Sequence, residues 1–564
     1  MADTPEQATA PTRRRTGRHR GEGQWAKGHF TPLNANEQTK KDDDGLNVRT
    51  RIETIYAHRG FASIDGADLR GRMRWWGLYT QRRPGIDGGK TAVLEPEELD
   101  DEYFMLRVRV DGGRLTTEQL RVIGEISQEF ARGTADITDR QNIQYHWIRI
   151  EDMPEIWRRL EGVGLSTTEA CGDTPRVILG SPVAGIAADE IIDGTPAVDE
   201  VHRRVVGNPA YSNLPRKFKS AISGSPLLDV AHEINDIAFV GVHHPELGAG
   251  FDVWVGGGLS TNPKIGVRLG AWTPLDEVAD VFEGVVSIFR DYGYRRLRNR
   301  ARIKFLVADW GPEKFRRVLE DEYLGRKLAD GPAPDAPVER WRDHVGVHRQ
   351  KDGRFYVGFA PRVGRVDGAT LTKIADLAEA HGSARVRTTV EQKMIILDVP
   401  EEQVSALTDE LAALDLTTQP SPFRRGTMAC TGIEFCKLAI VETKGRGQSL
   451  IEEMERRLPG FAEPITININ GCPNSCARIQ VADIGLKGQL VLDDEGNQVE
   501  GYQVHLGGSL GLDPGFGRKV RGLKVTADGL ADYVERVLRA FEEQRTEGER
   551  FSQWVTRADE GSLK

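Results

Sequence analysis

The chain repeats itself, and that repetition limits its possible folds more than any other feature. Gly250-Phe-Asp-Val-Trp-Val-Gly-Gly-Gly-Leu259 is matched by Gly501-Tyr-Gln-Val-His-Leu-Gly-Gly-Ser-Leu510. Just upstream, His232-Glu-Ile-Asn-Asp-Ile237 parallels Arg478-Ile-Gln-Val-Ala-Asp-Ile484, and before those Glu169-Ala-Cys-Gly172 parallels Met428-Ala-Cys-Thr431. A shorter unit precedes each set. Tyr103-Phe-Met-Leu-Arg-Val-Arg-Val-Asp-Gly-Gly113 opens a strand, a helix and a second strand at Ile143-Gln-Tyr-His-Trp-Ile148. Its shorter version runs from Phe355 through Val366-Asp-Gly368 and a helix to Lys393-Met-Ile-Ile-Leu397. The order is A-B-A′-B′, with A of about 50 to 60 residues and B of about 150 to 180. Repeated halves pack about a pseudo-twofold axis, and a large ligand can sit at their junction.

Between the landmarks, strand-like and helix-like stretches alternate with Gly-rich turns, which indicates mixed α/β layers. A length of 564 residues exceeds one compact core and suggests roughly three or four domains. The longest apolar runs, such as Ile237-Ala-Phe-Val-Gly-Val242, fall far short of the ~20 residues of a membrane span. A net charge of −9 argues against a dedicated nucleic-acid binder. Arg13, Arg14, Arg15, Arg18 and Arg20 have no apolar core after them, and Asp3 and Glu6 oppose a transit peptide, so a cytoplasmic location is expected. Residues 1–45 are polar and turn-rich, ending in Lys40-Lys-Asp-Asp-Asp44, and read as a flexible arm, either mobile or lying on the surface.

Four of the five cysteines fall within 47 residues. Cys430 and Cys436 stand in Met428-Ala-Cys-Thr-Gly-Ile-Glu-Phe-Cys436; Cys472 and Cys476 stand in Asn468-Ile-Asn-Gly-Cys-Pro-Asn-Ser-Cys476. An odd, sparse set of this kind is not a disulfide framework. Four thiolates can hold zinc or an iron–sulfur cluster, or remain free. Zinc favours tight hooks, which the five-residue spacer fits poorly, and the Gly471–Pro473 turn can present sulfur and N–H groups to a cluster.

These two cysteine segments, in this duplicated order, resemble the siroheme-dependent sulfite and nitrite reductases. The likeness runs from about Arg49 to Trp554 and is greatest to the single-chain, ferredoxin-dependent sulfite reductases of bacteria. It implies an α+β, internally duplicated fold: two ferredoxin-like half-domains and two larger α/β siroheme-cluster domains related by a pseudo-twofold. The boundaries expected are an arm at 1–45, a wrapping segment with the Tyr79 motif at 46–98, half-domains at 99–158 and 346–408, a first siroheme-fold domain at 159–345 and a second at 409–564. The resemblance implies that Cys430, Cys436, Cys472 and Cys476 bind one 4Fe–4S cluster, with Cys476 bridging to siroheme. In Asp139-Arg-Gln-Asn-Ile-Gln-Tyr-His146, it makes Arg140, Asn142, Gln144 and His146 candidate siroheme contacts. Strand alternation sends those four to one side. Siroheme carries eight carboxylates, so a ring of cations and amides is required. Arg302 and Lys304, in Arg295-Arg-Leu-Arg-Asn-Arg-Ala-Arg-Ile-Lys304, can add to it, although a solvated basic helix face explains each single residue of that run equally well.

The resemblance also places four catalytic cations on the open face of the haem: Arg107 in Met105-Leu-Arg-Val-Arg109, Arg176 in Cys171-Gly-Asp-Thr-Pro-Arg176, and Lys217 and Lys219 in Leu214-Pro-Arg-Lys-Phe-Lys219. Lys217 and Lys219, two apart on an extended segment, point the same way; read without the resemblance, they are better explained as an exposed strand edge that discourages aggregation. Fixed cations hold a small oxyanion and stabilise charge added with each electron, and lysine can deliver protons to departing oxygens. The implied reaction is reduction of sulfite to sulfide. Nitrite is the alternative, and Lys219, where nitrite reductases of the family tend to carry Asn, favours sulfite. Tyr79, in Trp75-Trp-Gly-Leu-Tyr-Thr-Gln-Arg82, and Cys171 are brought near the same face, where a thioether cross-link is conceivable; alternatively Cys171 is a buried relic of the duplication.

No Gly-x-Gly-x-x-Gly follows a strand, so no nucleotide or flavin module is visible, and electrons must come from an outside donor. A small acidic ferredoxin suits that role, with Lys437, Lys444 and Arg446 as docking candidates. No membrane or nucleic-acid partner is expected, and the chain is expected to act as a monomer. The competing readings are a tetrapyrrole-modifying enzyme of the same fold and a zinc-stabilised binding protein.

Overall fold

The two short repeats complete each other's sheets. A computed structural model of the chain describes residues 33–337 and 341–564. The first antiparallel sheet has the order Leu78–Arg82, Asp100–Val108, Ile143–Ile148, Thr134–Ile137 and Arg365–Asp367, the last strand coming from the second repeat. The second sheet reciprocates, with Gly346–Arg349, Phe355–Phe359, Met394–Val399, Arg385–Thr388 and then Arg114–Thr116 from the first repeat. The helices Thr117–Phe130 and Gly368–Ala380 cross at Gly124 and Gly368. A Cβ on Gly124 would lie 2.6 Å from Gly368 O, so the crossing requires a residue without a side chain. Ile123, Ile137, Val366, Ile374 and Val386 fill one shared core.

The half-domains expected at 99–158 and 346–408 therefore share one apolar interior. Leu78–Arg82, drawn from the expected wrapping segment, is the edge strand of the first sheet, and the helices Met153–Gly162 and Glu401–Ala413 run past the expected ends.

Each long repeat builds its own sheet. The first has the order Ala329–Asp330, Val267–Thr273, Gly248–Val255, Ile237–His244, Phe218–Ser223, Pro175–Gly180. The second runs Thr427–Ala429, Ile467–Asn470, Ile484–Leu492, Gln498–Leu506, Arg518–Thr526. In both, three parallel strands lead into an antiparallel hairpin. The backbone itself carries the duplication. Left-handed residues recur at Gln141 and Gln392, Trp147 and Asp398, Gly256 and Gly507, and Ser260 and Gly511, each pair 251 residues apart. Such φ values are costly for side chains other than glycine, so their retention at matching steps reflects one copied chain path.

The described part of the arm is docked on the rest of the chain rather than mobile. Asn34 caps the helix Ala35–Asp42 and donates to Arg295 O and Arg296 O, both at 3.0 Å. Buried Glu37 accepts from Arg295 at 3.0 Å, and Lys40 donates to Leu214 O at 2.8 Å. The charges that read as solvated are paired with residues far along the chain. Residues 1–32, the rest of the expected arm, lie outside the described residues. Among the described residues, no helix is long and apolar enough to cross a membrane.

Candidate functional site

Thr427–Ala429 and Ile467–Asn470 run parallel and in register, so their C-terminal ends emerge side by side. Cys430 follows the first and Gly471–Cys472 the second. Cys430 Sγ accepts from Gly471 N at 3.2 Å, and the Cys430 N–H donates to Ile469 O at 3.1 Å. Burial pushes the Cys430 thiol up to about 12 and also raises Cys436 and Cys472, and the charge of Cys476 adds to the rise at all three. The four sulfurs thus act on one another. Four thiols at the ends of two adjoining turns, one already accepting a backbone N–H, make the kind of donor set that an iron–sulfur cluster takes. The donor set fits the cluster, and the raised thiols would release their protons on binding it.

A group of cations lies within electrostatic reach of Cys476. Phe218 turns into the core beside Phe282 and Phe289, which leaves the half-buried Lys217 and Lys219 on the opposite side. Among the described residues no carboxylate forms an ion pair with either lysine. Burial, followed by Lys219, Arg216 and Arg302, holds Lys217 well below its usual range, and Cys476 opposes the shift. Burial and Arg140 bring Lys219 down to about 7, with Asp139 and Cys476 opposing. Asp236 fixes the strand entrance: its Oδ2 accepts the Lys219 N–H at 2.7 Å, and Arg302 donates to it at 3.0 and 2.7 Å. Crowding cations together is costly unless an anion joins them. Polycarboxylate edges and a small oxyanion both suit that vacancy of negative charge.

Arg107 reaches the same place from the strand Asp100–Val108. It donates to Cys171 Sγ at 2.6 Å and to Gln144 Oε1 at 2.8 Å, and Gln144 donates onward to Thr431 Oγ1 at 3.1 Å. Arg107 therefore links the first half to the residue after Cys430. Arg176 is more constrained than expected. Its guanidinium donates to Gly172 O at 2.9 and 2.7 Å and to Ala170 O at 3.3 Å, so it holds the Cys171 turn and keeps only two N–H groups for a ligand.

The strand-alternation argument for Arg140, Asn142, Gln144 and His146 does not hold. The strand begins at Ile143, and Gln141 is left-handed, so Arg140 and Asn142 belong to a turn. Arg140 donates to Asn235 Oδ1 and Val177 O, each at 2.9 Å, and burial lowers it to about 9. Asn142 Oδ1 accepts the Val110 N–H at 3.1 Å. His146 is buried against Phe435, with ring centroids 3.8 Å apart, and its Nε2 meets Asp136 at 3.2 Å. Lys304 donates to the carbonyls of Gly258, Leu259 and Asn262, which uses all three ammonium protons. Lys304 is fully committed to the wall, whereas Asn142 spends only its carbonyl there and His146 keeps a buried Nδ1 without a partner.

Two bracing residues escaped sequence reasoning. Asn470 donates to Cys472 O at 2.5 Å and accepts from Ala477 N at 2.9 Å, clamping both ends of the second cysteine turn. Buried Arg82 donates to Ile86 O, Asp87 O and Ala439 O, while its own N–H bonds Phe435 O at 2.8 Å, which ties the Tyr79 segment to the first cysteine loop. Only their places inside the quoted motifs hinted at either role.

Tyr79 and Cys171 both lie within electrostatic reach of Arg107. Arg74 covers the Tyr79 ring at 5.5 Å, and a cavity of about 320 Å³ opens between Tyr79, Gly172, Arg176, Arg216 and the N-terminal helix. The expected carrier-docking residues fare worse. Lys437 is paired with Asp100 and Thr80, Lys444 is buried on Val363 O, and Arg446 faces Asp528 at 3.7 Å. Buried Lys444 cannot meet a partner.

Residues 171–328 and 421–564 match the nitrite and sulphite reductase 4Fe-4S domain, and residues 97–163 and 348–414 match the nitrite/sulfite reductase ferredoxin-like half domain. The sulfite reductase [ferredoxin] of Mycobacterium tuberculosis H37Rv is 60% identical over 557 residues, covering 98% of this chain and 100% of that protein. The ferredoxin–nitrite reductase of Synechococcus elongatus is 37% identical over 514 residues, covering 90% of this chain and 96% of its own. The solved structure of the Mycobacterium tuberculosis NirA protein superimposes with a TM-score of 0.94 at 60% identity, covering 97% of this chain and 100% of that one.

Proposed function

This chain belongs to the nitrite and sulphite reductase family, and we propose on that footing that it reduces sulfite to sulfide with electrons from ferredoxin. Its cofactors are siroheme and one 4Fe–4S cluster. When bound, the pair would supply the electrons and the iron at which the oxyanion is reduced. Cys430, Cys436, Cys472 and Cys476 are the residues proposed to hold the cluster, with Cys476 shared with siroheme; Arg140, Gln144 and Arg302 are proposed among the contacts to siroheme carboxylates.

The observation that supports the substrate reading is that Lys217 and Lys219, neither in an ion pair with a carboxylate among the described residues, lie within electrostatic reach of Cys476, as Arg107 does. The lysines and Arg107 bind the oxyanion. Lys219, brought to about 7, exchanges protons readily near neutral pH and serves as the donor to departing oxygens. Arg176 positions the Cys171 turn and adds positive charge. Two lysines suit doubly charged sulfite better than nitrite, which the enzyme accepts as a slower substrate. We place the protein in the cytoplasm as a monomer.

The test is an anaerobic assay of the purified holoenzyme with reduced ferredoxin, comparing sulfite with nitrite while the absorption spectrum is recorded. Higher catalytic efficiency on sulfite with a siroheme spectrum is the expected result. A preference for nitrite would move the enzyme to nitrogen chemistry, and a colourless protein after adequate siroheme supply would end the proposal. The same sample reports on the Tyr79–Cys171 thioether: an intact mass lacking two hydrogens is expected, and separate unmodified peptides would exclude the bond.

A further inference from the structure

With Lys437 and Lys444 committed elsewhere, a different surface offers free cations beside the cysteines. In the second half's sheet, Lys487 pairs with Gln503 and Gln503 with Lys524; one step along, Gly485 pairs with His505 and His505 with Lys519. Directly paired residues share a face. Lys487, Lys519, Lys524 and His505 therefore lie on one side, while Leu486, Tyr502, Val504, Val520 and Val525 fill the core on the other. Lys519 and Lys524 are exposed and Lys487 is half-buried. Among the described residues none of the three forms an ion pair with a carboxylate. Burial, then Lys519 and Lys524, push the Lys487 ammonium down, so the three charges repel one another across the sheet.

Lysines on an edge strand can simply discourage strand pairing. That explains Lys519 and Lys524 on the edge strand Arg518–Thr526, but not Lys487 on the sheet's central strand. The central strand also gives the patch its location. Lys487 pairs with Asn470, the residue that clamps the Cys472–Ala477 turn, and Pro473 and Asn474 of that turn are exposed. The cations thus border the outward turn carrying two of the four cluster cysteines.

We propose that Lys487, Lys519 and Lys524 form the docking face for the small, acidic iron–sulfur electron carrier, steering it onto the Cys472–Cys476 turn. The inference rests on the ferredoxin-dependent reading above. At each encounter the reduced carrier loses one electron and the cluster gains it, with no atoms exchanged. Charges at the rim of such an encounter set its on-rate and its salt dependence.

The experiment mixes reduced ferredoxin with oxidised holoenzyme anaerobically and follows ferredoxin oxidation in a stopped-flow spectrometer, before any sulfite is added. Docking and substrate identity are then separate results. Wild type is compared with the K487E/K519E/K524E and K487R/K519R/K524R variants, with reduced methyl viologen as a donor that needs no docking face. The charge-reversed triple variant should slow the second-order rate from ferredoxin by about tenfold or more at low salt. The arginine triple should stay near wild type, and the dye should reduce all three equally. An unchanged ferredoxin rate in the charge-reversed variant overturns the proposal. So does an equal loss with the dye, or loss of the holoenzyme spectrum, because either assigns the lysines to the fold or the cofactors.

Discussion

In the first half, the Lys219 N–H donates to Asp236 Oδ2 at 2.7 Å; in the second, the Thr466 N–H makes the same bond to Asp483 Oδ2 at 2.9 Å. Among the described residues Lys217 and Lys219 form no ion pair, although Arg302 beside them is held by Asp236. Around Thr466 a cavity of about 100 Å³ is lined by the ion pairs Arg425–Asp343 and Arg478–Glu391 and by Trp341, from the segment that joins the halves. Glu391 stands where the first half has Arg140, 251 residues earlier. One backbone path, with the same aspartate bond, thus recurs in both halves. Pairing the charges turns one copy into a structural seam, and leaving the two lysines unpaired makes the other a place for anions.

The sharpest way to break this comparison exchanges the fates of two matching cysteines. Cys430→Ser should abolish sulfite reduction and the cluster's absorbance, whereas Cys171→Ser should leave iron content unchanged; iron and labile-sulfide assays on both purified variants decide it. Equal iron loss in the two would dissolve the division of labour between the halves. Next in size is Lys219→Thr, which installs the second half's residue. It should lower kcat/KM for sulfite by roughly 100- to 1,000-fold, the usual cost of losing one donor to developing charge, with the holoenzyme spectrum intact. The reverse change, Thr466→Lys, should create no activity.

The smallest effect concerns Glu169, matched in the repeat by Met428. Burial pushes its carboxyl up to about 7, and Oε1 has no hydrogen-bond partner. A folded pKa above the unfolded one gives stability that is complete below about 4.5 and is lost as pH rises through about 7. The loss is at most about 3 kcal/mol. Glu169→Gln should remove that decline, so the variant's unfolding midpoint should exceed wild type's at pH 8 but not at pH 4. Parallel pH profiles for the two proteins would show that the carboxyl is not shifted.

Much of the fold was legible because the duplication is written in residues the backbone demands: the glycines after Val255 and Leu506 occupy left-handed positions that resist substitution. The cluster cysteines were legible for a similar reason, since few arrangements explain four thiols in two short turns. Residues whose partners lie far along the chain were not legible. Glu37 and Lys40 look solvated until Arg295 and Asp173 are brought to them. Nothing in the sequence shows that the Asn142 carbonyl is taken by the Val110 N–H; in the second half the matching positions are Lys393 and Pro361, and proline has no N–H to satisfy. Period-two reasoning failed at Gln141 because a single left-handed residue resets which side every earlier residue faces.

The exchanged strands have a consequence for how the molecule is made. The sheet that begins at Leu78 is not closed until Arg365–Asp367 arrives to pair with Thr134–Ile137. At a synthesis rate of about 5–20 residues per second, that strand edge stays open for on the order of half a minute after the first strand is complete. An unpaired edge is an invitation to the wrong partner. The first half of a nascent chain therefore cannot finish folding ahead of the second, and a truncated product ending in the linker would carry an edge that nothing in its own sequence can cover.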